Sequence, residues 1–380
     1  ACVDRVHTAV EGARLLDRSS VVVLHPRLVR DVQQQPSVDQ GLPRRRRCAP
    51  HVVLHRVGEA EHVDHVDIVC RQTGLGDRRQ ITGANNGDVD GAQGGGILSY
   101  GGDPLIHNCL VVQDGERLVT RHGGPTRDPR AFLVPEDPEA WFWPGDGTVW
   151  ENQVWVFFHR FRQVTPGMWG WAWDGTVMAL LQLPDLSLDR VIAMPHDHGV
   201  AYGAALYEVD AWVYVFGTEQ RGAVKHLHLA RAPRGGLEGS WLYWAGQHWS
   251  DNPGASRSIL AGVSSQFGVV GLEQGLGLVT MDERQPFSDR VVVYLAETPT
   301  GPWQGPVDIY RAPEASSAVA AYNPFVHPQF SRHGNGHLIS YNINHVHDPD
   351  TLYDDAALYR PRFIRVDLDR LAARSAGQDP

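Results

Sequence analysis

His198-Gly-Val-Ala-Tyr-Gly-Ala-Ala-Leu206, Trp212-Val-Tyr-Val-Phe216 and His228-Leu-Ala-Arg-Ala-Pro233, followed by Trp241, form one unit whose plan recurs along the chain. It opens with a small and polar strand, turns, continues as an aromatic strand, and closes with a third strand ending in proline. Each run is short, apolar or alternating, and bounded by Gly, Pro, Asp or Asn, which is the pattern of strands rather than helices. Val263-Ser-Ser-Gln-Phe-Gly-Val-Val270, Gly277-Leu-Val-Thr280 and Tyr294-Leu-Ala-Glu-Thr-Pro299 with Gly301-Pro-Trp303 repeat the plan. So do Ala321-Tyr-Asn-Pro-Phe-Val-His-Pro328, Leu338-Ile-Ser-Tyr341 and Tyr359-Arg-Pro-Arg-Phe-Ile-Arg-Val366. A looser copy surrounds Trp141-Phe-Trp-Pro144. A period of roughly 50–60 residues with four strands per unit predicts a β-propeller. The fold class read from this is all-β, a five-bladed propeller whose first blade is missing or corrupted. Four units are visible, and a fifth would have to come from the front of the chain.

The front is a different material. Of 34 aromatic residues, only Tyr100 precedes Phe132. Aromatic side chains carry the largest apolar areas, so a segment without them lacks the usual filling of a sheet core. Residues 1–104 therefore read as non-native-looking or poorly ordered, in the manner of a GC-rich gene read in a wrong frame. Residues 105–370 read as the propeller and 371–380 as a disordered tail. The cluster His62, Asp64, His65 and Asp67 has no framework around it and is not read as a metal site.

Charge and cysteine content exclude several classes. Residues 101–380 carry 21 basic residues against 32 acids, within a chain of formal charge −10. That field repels phosphate backbones, so nucleic acid is excluded as a partner of the folded part. Cys2, Cys48, Cys70 and Cys109 contain no C-x-x-C pair, which leaves neither a zinc knuckle nor a disulfide framework. No run of 18 apolar residues predicts a membrane span, and no basic-then-apolar leader opens the chain. G-x-S-x-G, P-loop and H-E-x-x-H motifs are absent, and the glycines from Gly271 to Gly277 precede no helix. No cofactor and no metal are expected, although His345, His347 and Asp348 would suit a loop-bound divalent ion.

Tyr322-Asn-Pro-Phe-Val-His-Pro328, Leu338-Ile-Ser-Tyr-Asn-Ile-Asn344 and Tyr359-Arg-Pro-Arg-Phe363 together resemble the closing blade of the domain-of-unknown-function family 4185. Ile106-His-Asn-Cys-Leu-Val-Val112, Trp141-Phe-Trp-Pro-Gly-Asp-Gly147 and Gly301-Pro-Trp303 fit the same family. The resemblance implies a five-bladed glycosidase-like propeller, akin to glycoside hydrolase family 183. It implies cleavage of furanose-rich cell-wall polysaccharide of D-arabinan type by a secreted or cell-surface monomer. That family opens with a Gly-Asp-Thr-type acid, whereas here Gly94–Asp103 stands before His107. Weak or no activity is therefore expected of this chain, with a silent carbohydrate-binding propeller or a protein-interaction scaffold as the alternatives.

Glycoside cleavage needs two carboxyl groups about 5–10 Å apart. Asp146, after the aromatic strand, is the first candidate, with an ordinary turn aspartate as the competing reading. Glu151 and Asp197 of His196-Asp-His198 complete the catalytic set. Asn108, Tyr202, Gln266, Tyr322, Asn323, His327, Asn342 and Asn344 lie on or beside expected inner strands. Their amides, phenols and imidazole suit the hydroxyls of a polysaccharide or oligosaccharide. Arg362 is read either as a grip for an anionic group or as a salt bridge closing the blade. Trp241, Trp244 and Trp249 are read as blade packing ahead of sugar stacking.

Overall fold

The computed structural model describes residues 19–24, 51–55, 107–114, 117–125, 130–166, 170–195, 198–332, 336–347, 361–375 and 377. The first sheet joins β1 (Ser19–Leu24), β2 (His51–His55), β3 (Leu110–Asp114) and β4 (Arg117–Arg121) in the order β2-β1-β3-β4. Four further sheets follow. The first holds β5 (Ala140–Trp150), β6 (Gln153–Gln163), β7 (Trp171–Gln182) and β8 (Ser187–Ala193). The second holds β9 (Val200–Val209), β10 (Trp212–Arg221), β11 (Val224–Pro233), β12 (Leu242–Trp244), β13 (Trp249–Ser250) and β14 (Leu260–Ala261). The third holds β15 (Gly268–Gly271), β16 (Leu276–Met281), β17 (Arg290–Ala296) and β18 (Gln304–Arg311). The fourth holds β19 (Val319–Arg332), β20 (Gly336–His345) and β21 (Arg362–Val366), and helix α1 (Leu368–Ser375) follows it. Residues 371–375, expected in a tail, thus complete this helix.

These four sheets are antiparallel meanders in which neighbours in sequence pair in space. Burial sets their radial order. In the first, β5 is buried along nearly its whole length, whereas β8 is almost wholly exposed. A strand covered on both faces must sit inside, and one open to water must lie at the rim. β5, β9, β15 and β19 are therefore the inner strands of four propeller blades, and apolar clusters fill the spaces between successive blades. Phe157, Met178 and Leu180 meet Tyr202, Leu206 and Val215 between blades one and two. Ala204 and Phe216 meet Phe267, Leu278 and Val292 between blades two and three. Val279 and Val293 meet Val326, Ile339 and Tyr341 between blades three and four.

The blade count is four rather than the expected five. The remaining sheet is not a sequential meander: β1 sits between β2 and β3, so it lacks the inner-to-outer run that defines a blade. The composition break misled the count, because it left an apparent vacancy for a first blade.

Hairpin chemistry explains the sharp turns. Trp150 pairs with Gln153, so Glu151-Asn152 forms a two-residue loop, and Glu151 has φ 52°. Val209 pairs with Trp212 across Asp210-Ala211, where Asp210 has φ 55°. Positive φ at these positions matches the strand twist of primed hairpin turns.

Candidate functional site

Three of the four inner strands, β5, β9 and β19, are interrupted. Register shifts fall between Pro144 and Gly147 of β5, opposite Gly203 and Ala204 of β9, and between Tyr322 and Phe325 of β19. A bulge frees backbone groups from the ladder and turns side chains inward. Those groups are then bonded between blades. Asp146 is 5% exposed; its Oδ1 accepts from the Gly147 amide at 2.7 Å and its Oδ2 from the Leu206 amide of the next blade at 2.6 Å. Gln266 donates through Nε2 to the Pro144 carbonyl at 2.8 Å, spanning from blade three to blade one. Asn323, with φ 49°, donates to Gln266 Oε1 at 2.6 Å. These bonds tie the inner strands of the blades to one another. Three residues expected to bind sugar or catalyse thus make hydrogen bonds between blades, as buried polar groups must be paired.

Other expected site residues take similar parts. Asn108 uses its whole amide: Nδ2 donates to the Leu133 and Phe142 carbonyls at 2.9 and 3.0 Å, and Oδ1 accepts from the Leu133 amide at 2.8 Å. His327 is 1% exposed and bonds Ser340 Oγ through Nε2 at 2.8 Å, as a core histidine does. Arg362 donates to Glu314 Oε1 at 2.6 Å, while Tyr341 donates to Glu314 Oε2 at 2.8 Å. Glu151 lies in the turn at the far end of β5. It is five residues from Asp146 in sequence. Asp197 and Asp348 lie outside the described residues. Tyr322 and Asn342 are opposite each other in the ladder, and Asn344 follows, opposite Ala320. Trp241 packs against Phe157 and Tyr202 in the core, as expected, with ring centroids 6.0 and 5.9 Å away.

The inner strands run away from one end of the propeller, the second strands return to it, and the third strands depart again. That end, the mouth, gathers the start of β5, the end of β6 and the start of β7. There Trp141, Trp143 and Phe161 form a buried cluster on which the half-buried Trp171 and Trp173 pack. His107 stacks on Trp141 with centroids 5.1 Å apart and planes inclined at 17°. Trp143 meets Trp171 edge-on at 5.1 Å. The indole nitrogens of Trp141, Trp143 and Trp171 are buried without a hydrogen-bond partner among the described residues. Trp173 donates to Thr176 Oγ1 at 3.2 Å, and Asp174 holds Arg160 at 2.5 Å as well as Arg162. The sequence marked only Trp141–Trp143 here. The signal for the rest was the alternation Trp171-Ala-Trp173, which places both indoles on one face of a strand.

Among the described residues, Asp282 and Glu219 near the mouth are paired with arginines. Asp282 is buried and pairs with Arg284 and Arg290, each at 2.7 Å. Glu219 pairs with Arg221 at 2.5 Å and His228 at 2.9 Å. Hydrogen bonding from Arg221 holds Glu219 below its ordinary pKa, and bonding from Arg284 does the same for Asp282.

His159 spans blades at the same depth. Its Nδ1 faces Thr176 Oγ1 at 3.1 Å, and the backbone of Gly203 lies beside the ring. Burial lowers its pKa from 6.5 to about 4. The imidazole stays neutral in the fold while the unfolded chain takes up a proton, so stability is full above pH 6.5 and is lost as pH falls toward 4. The expected slope is about 1.4 kcal/mol per pH unit for this histidine. Urea denaturation across that range checks it: His159→Gln should flatten the profile, and an unchanged profile would contradict the assignment.

Comparison with known proteins places these features. The model of the family described as Domain of unknown function (DUF5005) matches residues 95–368. That match overturns the resemblance to family 4185. A Tyr-Asn-Pro strand followed by a polar-alternating one is what a bulged inner strand and its neighbour require, so it does not separate one propeller family from another. No curated protein matches the sequence. Among solved structures, a "putative hydrolase" from Bacteroides ovatus ATCC 8483 is 19% identical with a TM-score of 0.58, covering 73% of this chain and 79% of its own. An endo-arabinase from Bacteroides thetaiotaomicron VPI-5482 is 10% identical with a TM-score of 0.38, over 68% of this chain and 85% of its own. An exo-β-1,3-galactanase from Phanerochaete chrysosporium is 10% identical with a TM-score of 0.39, over 68% of this chain and 53% of its own.

Proposed function

Because this chain belongs to the family described as Domain of unknown function (DUF5005), whose description names no activity, we propose its function from its own geometry: it binds a neutral polysaccharide at the aromatic mouth. The observation that carries this is the concentration of Trp141, Trp143, Phe161, Trp171 and Trp173 at one end of one blade. Indole faces pack against the C–H faces of sugar rings. The half-buried Trp171 and Trp173 supply the open face. The Bacteroides ovatus protein that shares this fold is described as a "putative hydrolase".

Binding is favoured over cleavage because the described acids at the mouth are neutralised by arginines instead of facing one another. Hydrolysis of a furanose-containing polysaccharide of D-arabinan type is the catalytic form of the same reading. For it, Glu219 is the described carboxylate placed for a base or nucleophile role, kept ionised by Arg221. Affinity electrophoresis in gels cast with arabinan, arabinogalactan, galactan and an anionic polysaccharide tests the proposal. Retardation by at least one neutral polymer is expected, reduced tenfold or more by Trp171→Ala with Trp173→Ala. No retardation in any gel would overturn it. Reducing-end release in parallel reads the catalytic form.

A further inference from the structure

A second group of side chains at the mouth end of blade two is not used by the aromatic platform. Tyr202 lies near the start of β9, Glu219 near the end of β10 and His228 midway along β11, and Ser256 follows the short 3-10 turn Pro253–Ala255. Ladder pairing puts Tyr202 opposite Gly217 and Gly217 opposite His228, so one rung crosses the blade. Glycine at the centre of that rung leaves room between Tyr202 and His228. Ser256 closes the gap: its Oγ lies 2.8 Å from His228 Nδ1 and 2.9 Å from the Tyr202 hydroxyl. His228 Nε2 lies 2.9 Å from Glu219 Oε2.

The direction of every proton in this chain follows. Arg221 holds Glu219 ionised, so the carboxylate only accepts, and His228 Nε2 carries the hydrogen. His228 is 2% exposed and desolvation favours its neutral form, so Nδ1 is an acceptor. Ser256 must then donate its hydroxyl proton to Nδ1, and the Tyr202 hydroxyl donates to Ser256 Oγ. The polarity is hydroxyl to imidazole to carboxylate: a nucleophile, its base and the group that orients the base. The imidazole is turned relative to the commonest triads, with Nδ1 toward the serine, but the roles are the same.

We propose that Ser256, His228 and Glu219 form an acyl-transfer triad that hydrolyses a small carboxylic ester. In the first half-reaction, Ser256 Oγ attacks the ester carbonyl carbon while its proton moves to His228 Nδ1. Collapse of the tetrahedral intermediate breaks the bond to the alcohol oxygen, which leaves with the proton from His228. Water then attacks the acyl-serine by the same route, returning the serine and releasing the acid. Once Oγ is acylated it no longer needs the Tyr202 proton, and that hydroxyl is the donor beside the oxyanion. Glu219 and Arg221 fix the imidazole, so Glu219 is a positioning residue. Ser256 is covered to 9% exposure, beneath the exposed His198 and Gly254, which limits the acyl group to a small one.

The proposal does not depend on glycan binding and is tested without it. The full chain is treated with a fluorophosphonate probe and digested, and its peptides are weighed; p-nitrophenyl acetate hydrolysis is followed separately. The expected result is a single adduct on Ser256, with hydrolysis falling at least a hundredfold in Ser256→Ala and His228→Gln. Glu219→Gln should lower kcat with little change in KM, and shift the acid limb of the pH–rate profile. Tyr202→Phe should retain labelling, because the serine keeps its base. Should Ser256→Ala fail to fold, the position of the adduct on the native chain still decides. A native chain that carries no adduct on Ser256 overturns the proposal. So does one that hydrolyses the ester no faster than a folded Ser256→Ala variant.

Discussion

Gly203→Ala is expected to destabilise the protein by about 3–5 kcal/mol, most of the margin of a typical domain. Gly203 has φ 95°, and a Cβ there would lie 2.3 Å from Cγ and 2.6 Å from Cβ of Phe157. Those atoms are the root of a fully buried ring in the cluster between blades one and two, so the clash cannot be relieved by swinging a side-chain tip. Overpacking adds about 1–3 kcal/mol and the left-handed backbone a further 1–3. Gly199 gives the control. Its φ is 73°, but nothing lies within 4 Å of a Cβ there, so Gly199→Ala carries the backbone strain alone, about 1 kcal/mol. Urea midpoints of the two variants separate the effects. Equal midpoints would show that the inner strands do not approach as closely as the blade packing requires.

Asp146 is the second decisive position. Asp146→Ala is expected to cost about 2–5 kcal/mol, since it strands the buried amides of Gly147 and Leu206 at about 1–3 kcal/mol each. Asp146→Asn keeps the shape but turns an N–H toward one of those donors, and it should also lower the melting temperature. A carboxylate whose purpose was catalysis would behave in the opposite way, with Asn folding as well as the native residue and only turnover lost. Thermal denaturation of both variants distinguishes the two roles.

The repeat was legible because strands, turns and aromatic spacing are local properties. Runs such as Trp212–Phe216 and Leu338–Tyr341 fell on β10 and β20 because alternation fixes which face is buried. The site was less legible for a physical reason. Asn108, Asp146, Gln266 and Asn323 are polar residues on buried strands, and in sequence such a residue reads alike whether it awaits a ligand or bonds a neighbouring blade. Their partners lie as far as 122 positions away, as with Gln266 and Pro144. Gln266 meets Pro144 and Asn323 only once the blades come together. Likewise Ser256 and His228 carry no motif spacing, since their meeting depends on a glycine in the strand between His228 and Tyr202. The family assignment failed on the same ground: short stretches report blade geometry, and only the match over residues 95–368 reports ancestry.

The central claim is that a glycan docks on the aromatic mouth of blade one. The most direct measurement is the indole N–H spectrum of uniformly 15N-labelled protein during titration with the neutral polysaccharide retained in the gels, or an oligosaccharide cut from it. The account predicts that the Trp141, Trp171 and Trp173 resonances move together and saturate, while Trp212, Trp241 and Trp303 stay in place. Saturable binding with shifts confined to the latter three, and none at the mouth, would contradict it.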